Sequence, residues 1–203
     1  MYSAPVIIAV YFICWALIHS ALASLTVKRW ARKLFGPSVA RWYRLAFVGV
    51  AGFSLLPLLW LLLLLPDIRL YHVLAPWSWI MQGVRGLALL ALGWATFQAG
   101  VMHFLGVAQL FSATPDEMGY LQVHGFFRYV RHPLYLFSTL FLWLSPTMTV
   151  NTAVLYGLIV LYFVIGSLHE EQLLLAEFGK AYQTYREQVP CFIPWPGRHY
   201  RDQ

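Results

Sequence analysis

Two short stretches of this chain concentrate groups able to do chemistry. Residues 125–135 read Gly-Phe-Phe-Arg-Tyr-Val-Arg-His-Pro-Leu-Tyr, and a second group is His169-Glu170-Glu171. Arg131 offers a planar fork that suits a carboxylate or a phosphate, and a helix N-terminus beside it strengthens that attraction. Paired glutamates suit an ammonium group, hydroxyls or an arginine. Tyr129, Tyr135, Phe126 and Phe127 offer flat apolar surface for a heteroaromatic ring. A ligand with a carboxylate, an amine, ribose hydroxyls and an adenine would use all of these, and S-adenosylmethionine has all four. An Arg–Glu ion pair that only staples two helices would use the same residues. Residue chemistry alone leaves both readings open. The chain has no GxGxxG after a strand and no P-loop glycine–lysine pattern, so neither common soluble nucleotide cradle is available.

The elements that must position these groups are set by composition. Of 203 residues, 60% are hydrophobic and only 11% charged, against about 25% charged in a soluble domain. That excludes a disordered chain, a disulfide-framed module and a coiled coil. The two cysteines, Cys14 and Cys191, leave the redox compartment open. Crossing about 30 Å of hydrocarbon takes about 20 apolar residues. Uncharged or nearly uncharged runs at 3–25, 45–65, 84–104, 133–147 and 150–168 predict five spans. The first has its bases after the apolar run rather than before it, so it reads as a retained span and not a signal peptide. The expected fold is an all-α integral membrane protein of one domain over 1–203. Its last two spans form a helical hairpin turned at Ser145-Pro146-Thr147.

Lysine and arginine set the orientation. The first connection holds Lys28, Arg29, Arg32, Lys33, Arg41 and Arg44, the third holds Arg128 and Arg131, and the tail holds Lys180, Arg186, Arg198 and Arg201. These segments are expected in the cytoplasm, with the N-terminus outside. The formal charge of +6 then records orientation and attraction to membrane lipids, not a nucleic-acid partner. Pro133 suits the first turn of a helix, which makes Arg131 and His132 the lead-in to the fourth span. Glu170 and Glu171 fall where the fifth span emerges. A tight hairpin therefore brings both groups to one side of the membrane. Tyr182, Tyr185, Arg186 and Val189, at i, i+3, i+4 and i+7, predict an amphipathic tail helix. Gly86, Gly93 and Gly100, seven apart, predict a stripe for close helix packing.

Arg131-His132-Pro133-Leu134-Tyr135 resembles the RHPxY signature of the integral-membrane methyltransferases. That family includes isoprenylcysteine carboxyl methyltransferase, phospholipid methyltransferases and bacterial methanethiol S-methyltransferases. Glu170-Glu171, Leu174, Phe178-Gly179, Tyr182 and Tyr185 resemble its second block, and the likeness covers about 106–194. Leu105-Gly106-Val107-Ala108-Gln109, Pro146-Thr147-Met148-Thr149 and His19-Ser20 look most like the methanethiol branch, with a bacterial inner membrane as setting. The resemblance implies S-adenosylmethionine in a cytosol-facing region at 106–135 and 169–194. Arg131 and His132 would hold its polar end. Tyr135, with Gly125, Phe127 and Tyr129, would line its pocket, and Glu170 and Glu171 would bind its polar groups or orient Arg131. The acceptor implied is a small thiol or a lipid-like molecule, and His132 or Glu170 could take a thiol proton. Phe127, Phe137 and His169 stand where many relatives carry Tyr, Gly and Arg.

Other polar residues have plainer readings. His19 is expected to make an interhelical hydrogen bond, and His103 and Gln98 to sit at the interface or line an acceptor tunnel. Seven histidines invite a metal or haem, yet no HExxH or Cys/His ligand spacing occurs, and none is expected. Two other classes compete with a methyltransferase: a non-catalytic membrane scaffold, and an NADPH-dependent reductase of the sterol type.

Overall fold

The computed structural model describes residues 3–111 and 120–201. In chain order it contains α1 (Ser3–Ala23), α2 (Leu25–Phe35), α3 (Val39–Leu64), β1 (Arg69–His72) and α4 (Trp77–Gln98). There follow α5 (Val101–Leu105), α6 (Val107–Phe111), a 3-10 turn (Gly125–Arg128), α7 (Pro133–Trp143), β2 (Thr147–Thr149), α8 (Val150–Phe178) and α9 (Lys180–Gln188). The two strands pair into one small sheet. Four helices, α1, α3, α4 and α8, are long and apolar enough to cross a membrane. Their outward faces carry bare aliphatic side chains, such as Leu63 at 84% exposed. Water would not tolerate such faces on four helices, whereas hydrocarbon covers them without penalty. The protein is a mostly helical, multi-pass membrane protein.

Span boundaries differ from the hydropathy reading in physically sensible ways. The run at 133–147 yields only the 11 residues of α7, less than a full crossing. The run at 84–104 starts earlier and stops at Gln98, because Ala99 and Gly100 break the helix and leave His103 in the separate α5. The last span continues well past 168 to Phe178, so Glu170 and Glu171 lie within a helix and not beyond its end. The reading of 106–135 includes 112–119, which lie outside the described residues.

The chain forms two compact units. The first is built from α1, α2, α3, α5, α6 and the start of α8. Within it, α1 and α3 meet through satisfied polar groups. Tyr11 Oη donates to the Ser54 carbonyl at 2.6 Å, and Trp15 Nε1 to Ser54 Oγ at 2.9 Å. His19 lies between the rings of Trp15 and Phe47, so its contact across the helices includes aromatic packing. The fully buried Asn151 ties α8 to the segment that follows α3, its backbone N–H donating to Asp67 Oδ1 at 3.1 Å and its Nδ2 to the Pro66 carbonyl.

The second unit contains α4, α7, the rest of α8 and α9. Here α4 packs along α7, and its buried small residues are Ala88 and Ala95, seven apart. The glycine stripe does not serve this role. A methyl group at Gly86 or Gly93 would meet open space. Alanine suffices for this approach and retains helix propensity. Close approach to backbone occurs instead at Gly106 in the first unit, where φ is +85° and a Cβ would lie 2.5 Å from the Leu45 nitrogen. Gly106→Ala is therefore expected to lower stability by about 2 kcal/mol or more, since the left-handed backbone alone costs about 1–2 kcal/mol. Gly93→Ala should be neutral or slightly stabilising. Thermal unfolding of the two variants in detergent checks the contrast.

Candidate functional site

The site is set up by one proline. A residue before proline is driven out of the helical region, and His132 has φ −122° and ψ 64°. Arg131 and His132 thus keep free backbone donors in an extended segment just ahead of α7. Those donors are met by the chain beyond α9. Arg131 N–H donates to the Pro190 carbonyl at 2.9 Å, and His132 N–H to the Cys191 carbonyl at 3.1 Å. A second clasp lies beside it, where Tyr200 N–H donates to the Arg128 carbonyl and Arg128 Nε to the Tyr200 carbonyl. The break at Gly179 ends α8, and α9 then buries Tyr182, Tyr185 and Val189 against Leu121, Val123, Leu174 and Leu175. The expected tail helix exists, but its tyrosines are core residues.

These elements bring Arg131, His132, Tyr135, Glu170 and Glu171 together. Arg131 Nη2 sits 2.9 Å from Glu171 Oε1, and both side chains are nearly buried. Its Nη1 donates to the Arg186 carbonyl at 2.9 Å. The His132 ring is bracketed by carboxylates, with Nε2 at 3.2 Å from Glu171 and Nδ1 at 3.6 Å from Glu170. Tyr135 Oη donates to Glu170 Oε2 at 3.1 Å, and its ring stacks between His132 and Phe163. Glu170 alone is half exposed.

The remaining predicted residues lie elsewhere. Gly125 opens the 3-10 turn against Gln98, whose Oε1 accepts from Phe126 N–H, so Gln98 props this turn. Phe127 contributes its carbonyl, which accepts from Tyr185 Oη at 2.6 Å. Tyr129 is exposed and faces His199. Among the described residues no hydrogen bond or ion pair joins Gly125, Phe127 or Tyr129 to the Arg131–Glu171 pair. His103 is exposed, and its carbonyl serves the turn at Gly106.

Three participants were not placed in this site from the sequence, although Tyr182 was read as a motif and tail-helix residue. Cys191 Sγ is 3.7 Å from Glu171 Oε1, Phe192 packs on His132, and Tyr182 lies close enough to feel both Glu171 and Arg131. Tyr182 Oη and Arg131 Nε are buried donors with no hydrogen-bond partner. His132, Glu171 and Cys191 also present donor atoms within 4.8 Å of one another, a possible metal trio that linear spacing does not disclose. Arg131 bonds the same Glu171 oxygen, so that carboxylate already has its cation.

The fold is that of a multi-pass membrane protein. Residues 6–189 match the family described as "Protein of unknown function (DUF1295)", and the chain belongs to that family. It is 31% identical over 194 residues to methanethiol S-methyltransferase of Mycobacterium tuberculosis, covering 91% of this chain and 76% of that protein. It is 29% identical to methanethiol S-methyltransferase of Crocosphaera subtropica, covering 91% and 72%. To methanethiol S-methyltransferase 2 of Bradyrhizobium diazoefficiens it is 30% identical, covering 89% and 69%. No solved structure matches the chain.

Burial first, then the Glu171 charge, pushes the Tyr182 hydroxyl well above its ordinary value. Burial, then Tyr182, does the same for Tyr185, and burial raises the Cys191 thiol. Each group holds its proton more tightly in the folded chain than in the unfolded one. Their contribution to stability is complete below the unfolded values, about 8.5 for Cys and 10 for Tyr, and is lost as pH rises. The unfolding temperature should therefore fall from about pH 9 upward. In Tyr182→Phe that fall should be shallower, as thermal scans from pH 7 to 11 would measure.

Proposed function

We propose that the protein is an S-adenosylmethionine-dependent methyltransferase of the membrane, acting on a small thiol. The observation that carries this reading is the charge and donor pattern around Arg131. Arg131 pairs with Glu171, while Glu170 lies half exposed beside His132 and Tyr135. S-adenosylmethionine carries an ammonium and a sulfonium against one carboxylate, and Glu170 suits the ammonium. The buried, unmet donors Arg131 Nε–H and Tyr182 O–H suit the ligand carboxylate, which is the fit expected of this group. The names of the relatives support a methyltransferase whose acceptor is a thiol.

Bound here, the cofactor would supply an electrophilic methyl group on a positive sulfur. The chain's own residues then have limited work. Arg131, His132 and Glu171 hold the polar end, and Tyr135 and Phe163 present aromatic surface to the site. Glu170, the accessible carboxylate, takes the thiol proton on Oε2, with His132 Nδ1 beside it. Burial of the rest keeps water from the reaction. The surplus of bases in the first connection and in the tail supports a reading with the N-terminus outside and this site facing the cytoplasm, in a bacterial inner membrane.

One observation favours a scaffold instead, because the Arg131–Glu171 pair joins the segment before α7 to α8 and would stabilise the fold without any ligand. Thermal unfolding with S-adenosylhomocysteine separates the two. A ligand at a hundredfold excess over Kd stabilises by about 2.7 kcal/mol. We expect a clear upward shift with S-adenosylhomocysteine and none with NADPH. Arg131→Lys keeps the charge but loses the fork, and should weaken this ligand about tenfold or more. A scaffold would give no shift in the native chain, and Arg131→Lys would lower only the unfolding temperature. Methylation of methanethiol, followed as dimethyl sulfide in the headspace, tests the acceptor.

A further inference from the structure

The chain beyond α9 reads Pro-Cys-Phe-Ile-Pro-Trp-Pro over 190–196, and the site uses only the first three of these residues. Pro190 and Cys191 lend carbonyls to Arg131 and His132, and the Phe192 ring packs on His132. From Ile193 onward the bulk turns outward. Ile193 is 71% exposed and Trp195 67%. Pro190, Pro194 and Pro196 have no N–H, so this stretch carries few donors that would suffer beside hydrocarbon.

The level at which this strap is fixed follows from its bonds. Leu168 is the last large apolar side chain that α8 leaves exposed, and Glu170 follows it half in water. That change marks where hydrocarbon gives way to headgroups along α8. His132 reaches both Glu170 and Glu171, so the strap bonded to His132 runs at the same level. Tryptophan favours that depth, where its ring meets lipid and its N–H meets water.

The charges around the strap are of one sign. Arg128, Arg186, Arg198 and Arg201 are all exposed. Arg128 Nε donates to the Tyr200 carbonyl at 3.0 Å and Arg198 Nη2 to the Glu187 carbonyl at 2.8 Å, so both bond backbone. Among the described residues none of the four arginines forms an ion pair with a carboxylate. Glu187, the sole acid of α9, accepts from Gln183 Nε2 at 3.2 Å instead.

We propose that the strap at 193–201 docks on the membrane surface and takes anionic phospholipid. Ile193 and Trp195 enter the upper acyl region, and Arg128, Arg186, Arg198 and Arg201 meet headgroup phosphates. The proposal rests on the membrane location and not on the methyltransferase reading. Each base near an anionic surface strengthens attachment by about fivefold.

The test puts the photocrosslinker p-benzoylphenylalanine in place of Trp195 in the full chain, held in nanodiscs of equimolar phosphatidylglycerol and phosphatidylcholine. A parallel chain carries it in place of Gln183, which is exposed on α9. Mass spectrometry after irradiation counts the lipid adducts. Position 195 should capture lipid about fivefold or more over position 183, and its adducts should favour phosphatidylglycerol by about tenfold or more. Arg186→Gln with Arg201→Gln removes two cations whose side chains make no hydrogen bond or ion pair among the described residues. That pair of changes should cut the preference by about fivefold or more while capture at 195 persists. Equal capture at 195 and 183 overturns the proposal, as does parity between the two lipids in the otherwise native chain. A preference that survives the two arginine changes overturns it too, because the phosphates would then be held elsewhere. Ile193 replaced in the same way gives an independent reading should the change at Trp195 impair folding.

Discussion

A guanidinium held at the end of an apolar hairpin must find an opposite charge nearby, and here Arg131 finds Glu171. The two side chains meet at 2.9 Å and are almost wholly withdrawn from water. Such a pair contributes little net stability when complete, but leaving either partner alone in that setting costs about 3–5 kcal/mol. Each group therefore fixes the other, and with them the segment ahead of α7 and the late part of α8. The remaining partners are arranged around this pair. His132 bonds the same carboxylate, Arg186 lends a carbonyl, and Cys191 fills the remaining side.

Backbone geometry makes the pairing possible. Had Pro133 been an ordinary residue, a helix could have continued backward through His132 and Arg131, turning their amides into intrahelical donors. The proline instead holds them extended, and the 190–191 segment completes a strand-like contact. The tail is thus bonded to the site by its main chain, and Tyr182 and Tyr185 pack beside it. This explains why a helix with the periodicity of a surface element buries its aromatic side so completely.

Much of this was legible in the residue order. Hydropathy located the four long helices, and Pro133 together with Glu170-Glu171 located the two halves of the polar cluster. What stayed hidden depended on distance in space. Cys191 lies 20 residues from Glu171 in sequence and 3.7 Å away in the fold, and nothing in its neighbourhood marks it. Gly86 and Gly93 had the spacing of a packing stripe, but spacing cannot tell whether a second helix is present on that face. Hydropathy also could not see that α8 continues past 168, since a helix needs no apolar residues to propagate once it leaves hydrocarbon. The tyrosines of α9 were set on one side of a helix by their period, and the period is the same whether the apolar side meets lipid or protein.

The bracketing of His132 has a consequence of its own. Glu170 and Glu171 are adjacent on one helix and point in different directions, one towards solvent and one inward, yet the two nitrogens of a single imidazole reach both. The buried acid and the half-exposed one are thereby coupled through a single ring, so that a substitution at either loosens the imidazole that the other also holds.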